Sequence, residues 1–263
     1  PLLCRFERNV EEDSAVENVV IYNHGFPDAS VEPLQQVVGG FDEKAGETKK
    51  SSTSAAAQGD SSTPTKPHNS DKNHYFASRL PRKWSEAILK KFPKTAFVCF
   101  NTRGILGSAG NFADKTLIED LDDIHQIVTA SFQKYQRLEN IVICGMSTGA
   151  FLTLAYLTDP RASNFGAIKA GVLLACVKDI PTSYKLDFSK EDLESMEQKG
   201  YCYKCFGGGA QHRKQLNVGY LRSYSKFEPM AKMARRLKLP VLLLHGTKDQ
   251  HVPHSDHAQQ LYE

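Results

Sequence analysis

Ile141-Val142-Ile143-Cys144-Gly145-Met146-Ser147-Thr148-Gly149-Ala150-Phe151-Leu152-Thr153-Leu154-Ala155-Tyr156-Leu157 is the stretch on which the fold turns. Its first four residues are apolar and mostly β-branched, which reads as a short buried strand. Its last eight read as a buried helix. Between them stands Gly-x-Ser-x-Gly, so Ser147 falls where a strand turns sharply into a helix. Such a turn is tight and strained. A side chain at Gly145 or Gly149 would crowd the packing of helix on strand, and the strain leaves the serine hydroxyl standing clear. Ser147 is therefore the candidate nucleophile.

The same alternation continues on either side. Upstream, Ala96-Phe97-Val98-Cys99-Phe100 reads as a buried strand followed by Asn101-Thr102-Arg103-Gly104 and Gly107-Ser108-Ala109-Gly110. Leu117, Leu121, Ile124, Ile127 and Val128 then recur at helical spacing, and Trp84, Ala87, Ile88, Leu89 and Phe92 mark an earlier amphipathic helix. Leu2 to Val10 is a further strand candidate. Val19-Val20-Ile21-Tyr22 is a compact strand that runs into His24-Gly25-Phe26-Pro27-Asp28. A strand ending in His-Gly suits an oxyanion loop, because glycine allows the bend and the next backbone N–H can face a substrate oxygen. Downstream, Ala167 to Val177 reads as a strand, Glu228 to Lys238 as a helix, and Pro240 to Leu244 as a last strand ending in His245-Gly246-Thr247-Lys248-Asp249. Strand and helix in alternation predict an α/β fold with a mostly parallel, doubly wound sheet and helices on both faces.

Two segments interrupt this pattern. Residues 39–74 are rich in Ser, Thr, Lys, Gly and Pro with almost no large apolar side chain, which predicts a disordered low-complexity insertion. Residues 178–227 are polar and hold Gly207-Gly208-Gly209. Their one plain helix start is Ser189-Lys190-Glu191-Asp192. Placed between two sheet strands they predict a small lid, whose Tyr201, Tyr203, Phe206, Tyr220 and Tyr224 either line an apolar pocket or pack. The 263 residues are thus read as a single domain.

Composition narrows the classes. Apolar residues at 40% and charged residues at 24% suit an ordinary globule, and a net charge of +3 is too small to point to nucleic acid. The basic run Lys232 to Lys238, beside Met230, Met233 and Leu237, reads as a solvated helix face. No apolar run reaches the length of a membrane span and no signal peptide is read, so a cytoplasmic location is expected. Cys99, Cys144 and Cys176 sit in apolar runs. Cys202 and Cys205, with His212 nearby, form a Cys-x-x-Cys that lacks a second cysteine pair to complete a zinc site. They are read as two reduced thiols, with no metal and no cofactor.

Taken together, His24-Gly25-Phe26-Pro27, Asn101-Thr102-Arg103-Gly104 with Gly107-Ser108, Gly145-Met146-Ser147-Thr148-Gly149, and His245-Gly246-Thr247-Lys248-Asp249 with Val252-Pro253 resemble the α/β-hydrolase superfamily. Within it the sequence looks most like the serine hydrolases grouped with esterases, thioesterases and serine aminopeptidases. The resemblance implies Ser147 as nucleophile, Asp249 as the acid of a triad, and the N–H groups of Phe26 and Thr148 as the oxyanion hole. It implies hydrolysis of a small-molecule, acyl or peptide substrate, an ester, thioester or amide, through an acyl-enzyme. Epoxide hydrolases share His-Gly-Phe-Pro but carry aspartate at the elbow, which Ser147 excludes. The family's histidine follows a further helix and strand after the acid. The base is therefore expected beyond Glu263, with His251, His254 and His257 as the alternatives inside the sequence, and the chain is expected to be truncated at both ends. The competing reading is a non-catalytic member that keeps the fold as a binding or scaffold module. Oligomeric state is left open.

Overall fold

Six strands order the molecule into one sheet. The computed structural model describes residues 2–33, 74–76, 79–205 and 213–262. Among these, β1 (Cys4–Arg8), β2 (Asn18–Asn23), β5 (Thr95–Phe100), β6 (Asn140–Met146), β7 (Ile168–Leu174) and β10 (Val241–Leu244) line up as β1-β5-β2-β6-β7-β10. Only β1 runs antiparallel, pairing with β5; every other neighbour is parallel. The central strands are read correctly from their apolar runs, since a parallel strand covered on both faces has no polar side. All six residues of β5 are buried.

Helices cover both faces. On one side α2 (Leu117–Lys134) and α3 (Thr148–Leu157) pack with α8 (Met230–Ala234), and this layer holds the main core, including Ile21, Val98, Ile143, Phe151 and Tyr156. All ten residues of α3 are buried, so it is apolar around its whole circumference. On the other side α1 (Arg79–Lys91) lays Leu80, Trp84, Ile88 and Leu89 over Tyr22, Phe97, Cys99 and Cys144. Among the described residues this second face stays open toward β10: an apolar trough of about 700 Å³ is bounded by Trp84, Ile88 and Phe92 of the α1 side and by Val20, Val142, Val172, Leu242 and Leu244 of the sheet.

The two interruptions are placed as follows. The 39–74 segment lies outside the described residues except for His74, which opens β4 (His74–Phe76). This strand pairs antiparallel with β3 (Val31–Pro33), a two-strand element that composition did not announce. Residues 178–227 contain α5 (Ile180–Asp187), α6 (Lys190–Lys199), the antiparallel pair β8 (Tyr201–Cys205) and β9 (Arg213–Asn217), and α7 (Val218–Tyr224). Ser189 does cap α6, in a reciprocal capping box with Asp192. Tyr220 and Tyr224 are buried in the core, while Tyr203 is exposed; Phe206 is outside the described residues. Cys202 is buried and Cys205 exposed, and both are free thiols.

One helix is shorter than expected. Glu228 to Lys238 forms α-helix only over Met230–Ala234, after which Arg236 N donates to Met233 O and Leu237 N to Ala234 O. These i→i+3 bonds tighten the last turn, and the chain then reaches Pro240, which cannot continue a helix. Met230 and Met233 still face the core.

Candidate active site

The elbow is built by β6, α3 and the end of β2. Ser147 adopts φ 53° and ψ −123°, a strained conformation for a residue with a Cβ. Its N–H donates to Leu174 O at 2.9 Å and its carbonyl accepts from Ala150 and Phe151, so the turn is held from both sides. The glycines are required by space. A Cβ on Gly145 would lie 2.2 Å from Gly149 O, and one on Gly149 would lie 2.3 Å from His24 O. A Cβ on Gly25 would meet the Ser147 Cβ at 3.2 Å, which measures how closely the His24-Gly25-Phe26 turn approaches the serine.

Ser147 opens onto a cavity of about 670 Å³. Phe26, Pro27 and Asp28 form one wall, Ser147 and Thr148 the base of the elbow, and His251 and Val252 another side. Val177 borders it just before the 178–227 segment, from which Ser183, Leu186 and Asp187, with Tyr203, Lys204 and Cys205, close it. Thr148 is the first residue of α3, and the first N–H groups of a helix have no partner within it. The Phe26 ring stacks on Tyr220 with centroids 4.3 Å apart, and Phe112 and Phe188 lie 6.2 Å away. That aromatic cluster fixes the loop from outside the cavity. Asp187 accepts from Tyr224 Oη at 2.6 Å, and burial pushes its carboxyl up to about 6 against the pull of Tyr224 and Lys204.

Asp249 sits in the turn after β10 and ties that turn together. One carboxylate oxygen accepts from His251 N at 3.0 Å and Val252 N at 2.9 Å; the other lies 3.7 Å from His245 Nε2. Its carboxylate does not line the cavity, although the two residues whose N–H groups it holds do. The histidines separate by position. His257 Nδ1 accepts from Lys178 N at 3.1 Å, His254 meets His245 edge to face, and His251 alone of the three lines the cavity with Ser147. Sequence patterns singled out Ser147, Thr148 and Phe26, which the structure brings around one cavity, and Asp249, which it puts in the adjoining loop. They did not locate the wall from α5 and β8, whose Ser183, Asp187 and Lys204 read as ordinary polar positions.

His24 lies buried behind the turn, and its pKa is lowered to about 4: burial disfavours the imidazolium, the bond to Gly25 O opposes this, and the Lys115 ammonium adds to it. The unfolded chain takes up this proton near pH 6.5 and the folded chain only near 4, so folded stability falls as pH drops through that window, by about 3 kcal/mol in all. Urea unfolding at pH 7 and pH 4.5 checks this. His24→Gln is expected to lose less stability between the two than the wild type, and equal losses would remove His24 as the cause.

A parallel sheet with one antiparallel strand at its edge, helices on both faces, and a serine at the strand-to-helix turn opening into a cavity define an α/β-hydrolase-fold protein. The prolyl oligopeptidase family matches residues 96–262, and the chain belongs to that family. Similar solved structures include Est1E of Butyrivibrio proteoclasticus with ferulic acid bound (TM-score 0.64, 17% identity, 99% of this chain and 80% of that one). A monoacylglycerol lipase of Paleococcus ferrophilus superposes at TM-score 0.56 with 13% identity, over all of this chain and 83% of that one. An acylaminoacyl peptidase of Pyrococcus horikoshii gives 0.54 with 18% identity, over 99% of this chain and 32% of that one. At such identities the likeness is one of fold. A search of curated proteins gives no match. No helix among the described residues is long and apolar enough to cross a membrane, and none of their His, Cys, Asp and Glu side chains gather in threes as a metal site would need.

Proposed function

We propose that the protein is a serine hydrolase acting on an ester, thioester or amide, with Ser147 as nucleophile. The observation that carries this reading is the strained serine at the mouth of a 670 Å³ cavity, between the turn bearing the Phe26 N–H and the N-terminus of α3. A scaffold role gives no reason to hold a side chain at φ 53°. In the reaction Ser147 Oγ attacks the carbonyl carbon, an imidazole takes its proton, and the Phe26 and Thr148 N–H groups receive the oxyanion. The leaving alcohol, thiol or amine is protonated, and water then releases the acyl group by the same route. Asp249 acts on the base side, where its loop presents His251 to the cavity. Residues 178–227 act as the lid, with Leu186 and Tyr203, beside Val177 at its start, against the acyl chain. Esterase, lipase and peptidase neighbours all fit carbonyl substrates of this kind, and the choice among them belongs to the lid.

The rival reading, a binding module without catalysis, is favoured by one observation: the Asp249 carboxylate holds backbone N–H groups and no histidine bridges it to Ser147 among the described residues. A fluorophosphonate probe separates the two. Covalent labelling of the wild type that is absent in Ser147→Ala is the expected result; a folded wild type that resists the probe would favour the binding module.

A further inference from the structure

We infer that Lys115, buried with Asp120 behind the His24-Gly25 turn, is a positioning residue of the oxyanion site: through Thr102 it keeps the His24 proton on Nδ1, and so aims the Phe26 N–H. This rests on the assignment of Phe26 to the oxyanion site above.

The chain of contacts begins with an unusual burial. The Lys115 and Asp120 side chains are 1% and 4% exposed and form an ion pair. Lys115 Nζ donates to Asp120 Oδ1, to Thr102 Oγ1 at 2.7 Å and to Arg103 O at 3.0 Å, which uses all three protons of the ammonium. These bonds pin the turn that follows β5. The Thr102 N–H then points at His24 Nε2, 3.3 Å away. A nitrogen that accepts carries no proton, so the neutral ring holds its proton on Nδ1, and Nδ1 donates to Gly25 O at 2.7 Å. Gly25 O also accepts from Asp28 N at 2.9 Å. In a trans peptide the carbonyl and the following N–H point in opposite directions. Anchoring Gly25 O against the buried ring therefore sends the Phe26 N–H away from it, to the side where Phe26 lines the cavity. An ammonium near the ring also disfavours imidazolium, which would set an N–H against that of Thr102.

A buried ion pair is poor evidence of a stability role, because an apolar pair of similar size commonly holds a fold as well or better. That permits a clean test. Lys115→Met alone would leave the buried Asp120 carboxyl without its ammonium partner, so the variant is Lys115→Met with Asp120→Leu. It is expected to unfold cooperatively like the wild type, yet to hydrolyse a p-nitrophenyl ester with kcat lowered about 10- to 100-fold and KM within about twofold, the pattern of an interaction made in the transition state. In parallel, ¹⁵N spectra of histidine-labelled protein, with His24 assigned by His24→Gln, are expected to show the Nδ1–H form in the wild type and a mixture of both forms in the double variant. A folded double variant with unchanged kcat, or a wild-type His24 protonated on Nε2, would overturn the inference. A wild type that hydrolyses no ester and takes no fluorophosphonate at Ser147 counts against the proposed function instead, and the spectra still decide the tautomer.

Discussion

Ser147→Gly is expected to lower kcat/KM by about 10⁴-fold or more and, in the same molecule, to raise stability by about 1 kcal/mol. The first effect follows from chemistry. Without a hydroxyl there is no acyl-enzyme, and the oxyanion donors alone leave only a small residual rate. The second follows from the backbone. Ser147 sits at φ 53° and ψ −123°, where a residue with a Cβ carries about 1–3 kcal/mol of strain that glycine does not. Glycine's extra freedom in the unfolded chain takes back about 0.5–1 kcal/mol, which leaves the net gain. Ester kinetics and thermal unfolding on one preparation check both halves. Activity within tenfold of wild type would show that Ser147 is not the nucleophile; lower stability would show that the elbow holds no strain to release.

Gly149→Ala is expected to prevent folding or to cost about 4 kcal/mol or more, a large part of a typical domain's margin. The added methyl would sit 2.3 Å from His24 O and 2.6 Å from Asn23 O. Both are backbone atoms at the end of β2, a strand paired on one side with β5 and on the other with β6. Neither neighbour can rotate away as a side chain could, so relief requires α3 to lift off the sheet and uncover its apolar residues. Gly166→Ala is the matched control, since nothing lies within 4 Å of the added atom, and a change below about 0.5 kcal/mol is expected there. Denaturant midpoints of the two variants make the comparison. A Gly149→Ala protein within about 1 kcal/mol of wild type would mean that α3 does not press on β2 as described.

Much of this arrangement was readable from residue order because its signals are local. The strand at Ile141–Cys144, the serine between two glycines and the apolar helix beyond are consecutive residues, and a tight turn leaves them little choice. The order β5-β2-β6 was less open to reading, since it depends on pairings between strands far apart in the chain, Asn18 lying beside Thr95 on one side and Asn140 on the other. The site divides the same way. Ser147 and the Phe26 turn carry short motifs, whereas Asp187 and Lys204 reach the cavity only because α5 and β8 fold back over it. Lys115 was the least legible. Flanked by Asp114 and Thr116 it has the composition of a solvated loop, and only the packing of α2 against the turn after β5 buries it.

The cavity's walls come from five stretches, near residues 26, 147, 180, 204 and 251, and no two of them are joined by a short loop. Each wall is carried to its place by a different strand or helix, so a half-formed sheet holds no pocket of any shape. Chain closure over such distances is slow compared with forming single helices. Enzymatic turnover in a refolding sample would accordingly arrive last, after helical signal and the packing of Trp84 against Tyr22, and the interval between them would time the docking of α5 and β8 beside the finished sheet.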